Sequence, residues 1–271
     1  MLPAHSPRDA SKPRRWLLAR MLRLRVWSLR RLLVTGVALC VIVKATYEMF
    51  FVRYVNGKRC ERLGRVHLER GFHNPSDCFS SGEVQQIILG LVFAIADVFE
   101  RNNVTYWLDS GTLLGAYRED AVILYDDDAD IGIDEATYVR LRDGDEHLAF
   151  PSVYELHLHG AKFREQGRRD PGIPGRLVHT KSGIYVDMFV FLESKTAETD
   201  AEPMFGPLAS KCFHSCVRCP KVENRGKEFK IPKSWVFPLN KCFLGGREVS
   251  CPAQSEKYLD YLYGPNYMTP S

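Results

Sequence analysis

The most prominent hydrophobic segment of the chain is an apolar run from Leu32 to Val43, which resumes after Lys44 and Glu48 with Met49 to Val52. One helix of about 20 such residues is long enough to cross a bilayer. Lys44 and Glu48 are four residues apart, so they can pair on one face of that helix. The pattern therefore predicts a single transmembrane helix over residues 32–52.

Basic residues are concentrated before this run, and the formal net charge of +4 belongs to that part of the chain. Cationic flanks stay on the cytoplasmic side, so residues 1–31 predict a basic cytoplasmic tail and a type II topology with the rest in the lumen. A cleaved signal peptide is the alternative, since a short apolar run followed by Val43-Lys44-Ala45 suits one. Membrane topology explains the arginines, so we expect no nucleic-acid binding.

The chain after the span begins without periodicity and then becomes regular. Residues 53–79 carry glycine, asparagine, proline and charge, and predict a stem or an N-terminal wrap around the following domain. Ser80 and Glu83 have capping-box spacing, and the apolar residues from Val84 to Phe99 fall on one helical face. Residues 80–271 therefore predict the catalytic domain, which begins with a helix.

Short strand and helix patterns alternate through that domain and predict an α+β fold. Residues 193–207 are polar, with proline and glycine, and predict a loop. The expected elements are a buried strand Val104–Leu108, a short helix Leu113–Arg118, a strand from Asp128 through Ile133, a helix capped by Asp134, two strands joined by the turn Lys181-Ser182-Gly183, and a helix Ser255–Tyr263 ended by Gly264.

Seven cysteines follow the apolar span, and five of them lie in a cysteine-rich part at residues 208–252. In an oxidising lumen they are expected to form disulfides or bind metal. Cys212, Cys216 and Cys219 can hold a structural Zn²⁺ with Cys242 or His214 as the fourth ligand. Disulfides among these cysteines and Cys251 are an equally weighted alternative. A glycosylation sequon at residues 103–105 agrees with a lumenal location.

The acidic residues within an apolar strand pattern are the strongest chemical signal. Asp128 and Asp130 alternate with Ala129 and Ile131, so both carboxylates point to one side of a strand. Two converging carboxylates repel unless a cation lies between them, which favours Mg²⁺ or Mn²⁺ as the cofactor. Asp126 and Asp127 by themselves are more typical of a solvated loop.

Two further features complete the candidate site. Ser110, Gly111 and Thr112 form a small-residue turn before a helix, where free backbone amides can bind phosphate, and Arg118 follows on that helix. Asp187 lies in an apolar strand and must be paired or bound to metal, because burying a bare carboxylate is costly. An arginine partner is the alternative for Asp187.

Residues 106–118, with the sequence YWLDSGTLLGAYR, followed by DDDADI at residues 126–131, strongly resemble the LicD family. This family includes bacterial choline-phosphate transferases and an animal fukutin-related branch. The C-terminal part fits as well, at Pro238-Leu239, at Phe243 to Gly245 and from Tyr258 to Tyr267. The resemblance covers roughly residues 80–268.

The resemblance implies a nucleotidyltransferase-like fold, with a mixed sheet and flanking helices. It implies a CDP-linked donor, a glycan or glycoprotein acceptor, and transfer of a phospho-alditol or phosphocholine-type group. Asp128 and Asp130 match the metal-binding pair, Asp187 the third acid, and Asp126 a further acid that contacts the metal or acts as base. The type II anchor resembles that of the animal members and implies a Golgi or endoplasmic reticulum membrane.

Two other functions fit parts of the pattern. A glycosyltransferase that holds a nucleotide sugar through an Asp-x-Asp pair would use Asp128 and Asp130, but it leaves Gly111, Thr112 and Asp187 unexplained. A non-catalytic scaffold of the secretory pathway would need none of the acids. The sequence leaves open whether the protein forms a homo-oligomer.

Overall fold

The computed structural model describes residues 12–55, 57–61, 68–69, 71–72, 74, 77–124, 126–144, 148–158, 173–194, 202–208, 213–223 and 226–269, and only the backbone of residues 12–28, 50–55 and 61. The chain divides into two compact units, Met1–Arg53 and Tyr54–Ser271. Of the predicted tail, residues 12–31 lie in the described part of the chain.

The first unit contains helix α1, Lys12–Phe51. Its segment Leu29–Met49 is long and apolar enough to span a bilayer, and none of it is buried. Helix α2, Ser81–Arg101, passes the same test of length and composition, but half of it is buried in the core. A signal sequence would pass this test too, so the N-terminal apolar helix is weakly consistent with a membrane anchor.

Helix α2 begins at the predicted capping box. The Ser80 hydroxyl accepts a hydrogen bond from the Glu83 amide, and the Glu83 carboxylate accepts one of 2.8 Å from the Ser80 amide. Residues Val84, Ile88 and Phe99 are buried on one face of the helix, as the periodicity predicted. This face packs against the central sheet.

A mixed sheet forms the centre of the second unit. In the described part of the chain it has seven strands: β3 Trp107–Leu108, β4 Ala129–Asp134, β5 Tyr154–Leu158, β6 Gly175–His179, β7 Tyr185–Ser194, β8 Met204–Pro207 and β11 Ile231–Pro232. Strand β7 pairs in parallel with β4 along one edge. Along its other edge it pairs antiparallel with β6 through its first half and with β8 through its second half.

Shorter elements surround this sheet. The helices are α3 Ser110–Glu119, α4 Glu135–Asp143 and α5 Ser255–Tyr263, and a 3-10 turn occupies Lys233–Trp235. The remaining strands are β1 Val52–Val55, β2 Lys58–Glu61, β9 Lys221–Val222, β10 Gly226–Lys227, β12 Asn240–Leu244 and β13 Arg247–Cys251. The observed architecture confirms the predicted mixed sheet with flanking helices.

Two expectations about strands were wrong. The loop predicted at residues 193–207 contains the end of β7 and all of β8, because Phe205 is buried against Trp107 and Phe191. Only Trp107 and Leu108 of the strand predicted at residues 104–108 pair with β4.

Six cysteines of the described residues form three disulfides, and these correct the proposed zinc ligand set. Cys216 is bonded to Cys219, and Cys242 is bonded to Cys251, so these sulfurs are not available as thiolate ligands. Cys212 lies outside the described residues. A further disulfide joins Cys60 to Cys78. The cysteine-rich part shares the main hydrophobic core, to which it contributes Phe213, Phe229 and Cys216.

Candidate active site

The parallel pairing of β4 with β7 brings the predicted acids together. Asp130 and Asp187 are direct partners across the two strands, and Asp128 immediately precedes β4. One carboxylate oxygen from each of the three lies within 4.8 Å of the others. Asp187 is buried, whereas Asp128 and Asp130 are partly exposed.

A second group of acids shares a member with the first. Asp126, Asp127 and Asp128 also offer oxygens within 4.8 Å of one another, and all three are partly exposed. Asp128 belongs to both groups. Asp126, which the resemblance singled out, therefore lies beside the three-acid cluster.

The electrostatics of the cluster favour a bound cation. The pKa of Asp130 lies well above its ordinary value, first because the carboxyl is desolvated and then because Asp128, Asp187, Asp109 and Asp126 repel its charge. A divalent cation would relieve this repulsion. The ligands on offer are all carboxylate oxygens, which suit Mg²⁺ or Mn²⁺ better than a soft metal.

The predicted phosphate-binding turn adjoins these acids. The Thr112 hydroxyl accepts a 2.8 Å hydrogen bond from the Asp130 amide, which joins the start of α3 to β4. A Cβ atom at Gly111 would come 3.0 Å from a carboxylate oxygen of Asp126. Ser110 has a positive φ of 47°, which turns the chain sharply into the helix. The first amides of α3 therefore lie close to the acidic residues.

Arg118, the fourth residue predicted to bind the donor, forms an ion pair of 2.6 Å with its neighbour Glu119. It lies seven residues after Gly111 and thus on the same face of α3.

Sequence reasoning placed Asp109 only as the first residue of the turn before α3, and the structure shows that it is fully buried there. One of its oxygens accepts hydrogen bonds from the Ser110 amide at 2.7 Å and from the Tyr258 hydroxyl at 2.5 Å. Its other oxygen is buried without a hydrogen-bond partner among the described residues. Burial raises the pKa of Asp109 to about 6, although both hydrogen bonds oppose this shift.

Helix α5 therefore belongs to the site. Besides Tyr258, it carries Tyr263, whose pKa is raised by burial and further by Asp130 and Asp109. The sequence predicted this helix, and the family resemblance included Tyr258 to Tyr267, but neither indicated that the helix packs beside the acids.

Arg176 is another residue that the sequence analysis did not identify. Its Nε donates a 2.6 Å hydrogen bond to Asp187, and its Nη1 lies 3.1 Å from Glu69. Asp187 therefore has the arginine partner that the sequence analysis gave as an alternative. It also converges with Asp128 and Asp130.

A mixed sheet, a turn that opens a helix and carboxylates on paired strands agree with the nucleotidyltransferase-like fold that the resemblance implies. The profile described as LicD/FKTN/FKRP, nucleotidyltransferase domain, matches residues 103–254, which is more than half of the chain. The chain belongs to this family of transferases, as the sequence resemblance indicated.

Curated relatives match over shorter stretches. An uncharacterized protein of Rickettsia prowazekii (strain Madrid E) is 42% identical over 62 residues, which is 22% of this chain and 23% of that protein. An uncharacterized protein of Rickettsia typhi (strain ATCC VR-144 / Wilmington) is 54% identical over 37 residues, or 14% of this chain and 12% of that protein. The chain thus spans less than a quarter of the length of either relative.

Proposed function

We propose that this protein is a metal-dependent transferase that moves a phospho-alditol or phosphocholine-type group from a CDP-linked donor to a glycan or glycoprotein. Family membership supports transfer chemistry in general. The observation that carries the finer proposal is the position of Asp128, Asp130 and Asp187 beside the start of α3. Carboxylates that would bind a cation thus lie beside backbone amides that would bind phosphate, and this supports the proposal.

Asp128, Asp130 and Asp187 would hold Mg²⁺ or Mn²⁺, and the oxygen ligands fit such an ion. When bound, the ion supplies charge neutralisation for the phosphates of the donor. Ser110, Gly111 and Thr112 would orient the same phosphates through the amides at the start of α3, where the helix dipole favours an anion. The absence of a side chain at Gly111 lets a phosphate approach closely. Arg118 would add a guanidinium to this anion site.

The chemical step is a substitution at the phosphorus atom that carries the alditol or choline group. A hydroxyl of the acceptor forms the new P–O bond, and the bond to CMP breaks so that CMP leaves. Asp126 lies next to Gly111 and would accept the hydroxyl proton.

The cellular setting is part of the proposal. The exposed apolar segment Leu29–Met49 would anchor the protein in the Golgi or endoplasmic reticulum membrane, with a single pass and a lumenal domain. Three disulfides in the described residues support an oxidising compartment.

The test is a donor assay on the full chain in detergent with Mg²⁺. We expect CMP release from a CDP-alditol or CDP-choline that depends on both the cation and an acceptor. Asp130→Asn should abolish release, whereas the matched control Asp97→Asn should retain it, because Asp97 is an exposed residue of α2 that pairs with Arg247 and is not among the acids that act on Asp130. Release of a nucleoside diphosphate from a nucleotide sugar would instead identify a glycosyltransferase. If Asp130→Asn left biological activity intact, a scaffold would be indicated.

A further inference from the structure

The guanidinium of Arg176 is held from three sides. Its Nε lies 2.6 Å from an oxygen of Asp187, and its Nη1 lies 3.1 Å from an oxygen of Glu69. Its central carbon lies 4.1 Å from the centroid of the Tyr185 ring. The side chain is only 18% exposed, so these contacts leave it little freedom to move.

The register of the sheet builds this arrangement into the fold. Arg176 on β6 is the direct partner of Asp187 on β7, and Asp187 is the direct partner of Asp130 on β4. One arginine and two acids therefore lie in a row across three adjacent strands. The position of Arg176 is fixed by backbone pairing as well as by its own contacts.

Glu69 brings the predicted stem into the same arrangement. Its amide donates a 2.8 Å hydrogen bond to the carbonyl of Gly183, at the turn between β6 and β7. Leu68, the preceding residue, is buried in the main core. These contacts fix the backbone from which the Glu69 carboxylate pairs with Arg176.

We propose that Arg176, supported by Glu69, is a positioning residue that holds the Asp187 carboxylate in the orientation needed to bind a divalent cation. The proposal rests on the cation site of the proposed function. Three carboxylates that converge within 4.8 Å repel one another, and Asp187 would turn away from Asp128 and Asp130 if nothing restrained it. The Arg176 hydrogen bond supplies that restraint, as partners of metal ligands commonly do.

A role as a simple countercharge predicts the opposite result. If Arg176 only neutralised Asp187, its removal would make the site more negative and would tighten cation binding. If it orients the carboxylate, its removal weakens binding. The sign of the change in affinity therefore separates the two roles.

The experiment measures Mn²⁺ binding to the full chain in detergent by electron paramagnetic resonance, with thermal unfolding recorded in parallel. We expect Arg176→Gln to weaken Mn²⁺ binding by about 10- to 100-fold. Arg176→Lys should recover part of this loss, and Glu69→Gln should show a smaller loss. Arg247→Gln is the matched control, because Arg247 also pairs with an aspartate at 2.6 Å and lies over an aromatic ring, but the groups that act on it are Asp97, Glu100 and Tyr106 and not the three acids.

Unchanged or tighter Mn²⁺ binding by Arg176→Gln would overturn the proposal, even if the variant unfolds at a lower temperature. If Arg176→Gln does not fold, the other variants decide: wild-type affinity in both Arg176→Lys and Glu69→Gln would overturn it. Failure of the proposed function has a different signature. In that case Asp130→Asn would bind Mn²⁺ as the wild type does, or the wild type would not bind it at all.

Discussion

Replacing Asp130 with asparagine should stabilise the cation-free protein while removing its response to cation. The carboxylate oxygens of Asp128, Asp130 and Asp187 lie within 4.8 Å of one another. At an effective dielectric constant of about 20, two unit charges at that separation repel by about 3.5 kcal/mol. This is large beside a typical free energy of unfolding of about 5–15 kcal/mol.

Proton uptake and Arg176 offset part of this repulsion. We therefore expect Asp130→Asn to raise the free energy of unfolding by about 1–3 kcal/mol in EDTA at neutral pH. The effect should depend on pH because the pKa of Asp130 is raised in the folded state. In the wild type Asp130 is protonated at low pH, and the protein loses stability as pH rises through the pKa of Asp130 in the folded state. The asparagine variant has no proton to lose at this position, so its stability does not fall in this way. The gain should therefore vanish in acid.

The assay is urea unfolding of wild type and variant, with EDTA and with Mg²⁺, over a range of pH. Mg²⁺ should stabilise the wild type, because a ligand that binds only the folded state raises its stability. It should not stabilise Asp130→Asn. The reasoning would be refuted if the variant were less stable than the wild type in EDTA at neutral pH, or if it kept the full response to Mg²⁺.

Three other changes test separate parts of the account. Gly111→Ala places a Cβ 3.0 Å from Asp126 and should reduce CMP release strongly while the variant stays folded at the assay temperature. A loss of CMP release that is explained by unfolding of the variant would argue against a role in phosphate binding. Tyr258→Phe removes the hydrogen bond to buried Asp109 and should lower the free energy of unfolding by about 1–3 kcal/mol in urea titrations, whereas an unchanged value would contradict this contact. Glu83→Gln should lower the free energy of unfolding by about 0.5–1 kcal/mol at pH 7, and the exposure of Glu83 keeps this effect small. Urea titrations at lower pH should show the difference disappearing toward about pH 2, where Glu83 itself is protonated.

The sequence predicted those features that depend on neighbouring residues. The capping box of Ser80 and Glu83, the N-cap at Asp134 and the end of α5 before Gly264 all follow from local backbone chemistry. Asp128 and Asp130 were identifiable because alternation along one strand is also local.

Features that depend on strand register were not predictable in the same way. Arg176 is distant from Asp130 in sequence, and only the pairing of β6, β7 and β4 places them in one row. The disulfide between Cys216 and Cys219 was open for a different reason, because cysteine spacing alone does not determine connectivity. Strand β8 was missed because its short sequence, Met204–Pro207, contains glycine and proline, which are typical of loops.

The most direct test of the central claim is a crystal structure of the protein with Mn²⁺ and an anomalous difference map. We expect one peak within ligand distance of Asp128, Asp130 and Asp187, next to the amides at the start of α3. A map with no peak among these three acids, or with Mn²⁺ only at Asp126 and Asp127, would contradict the account.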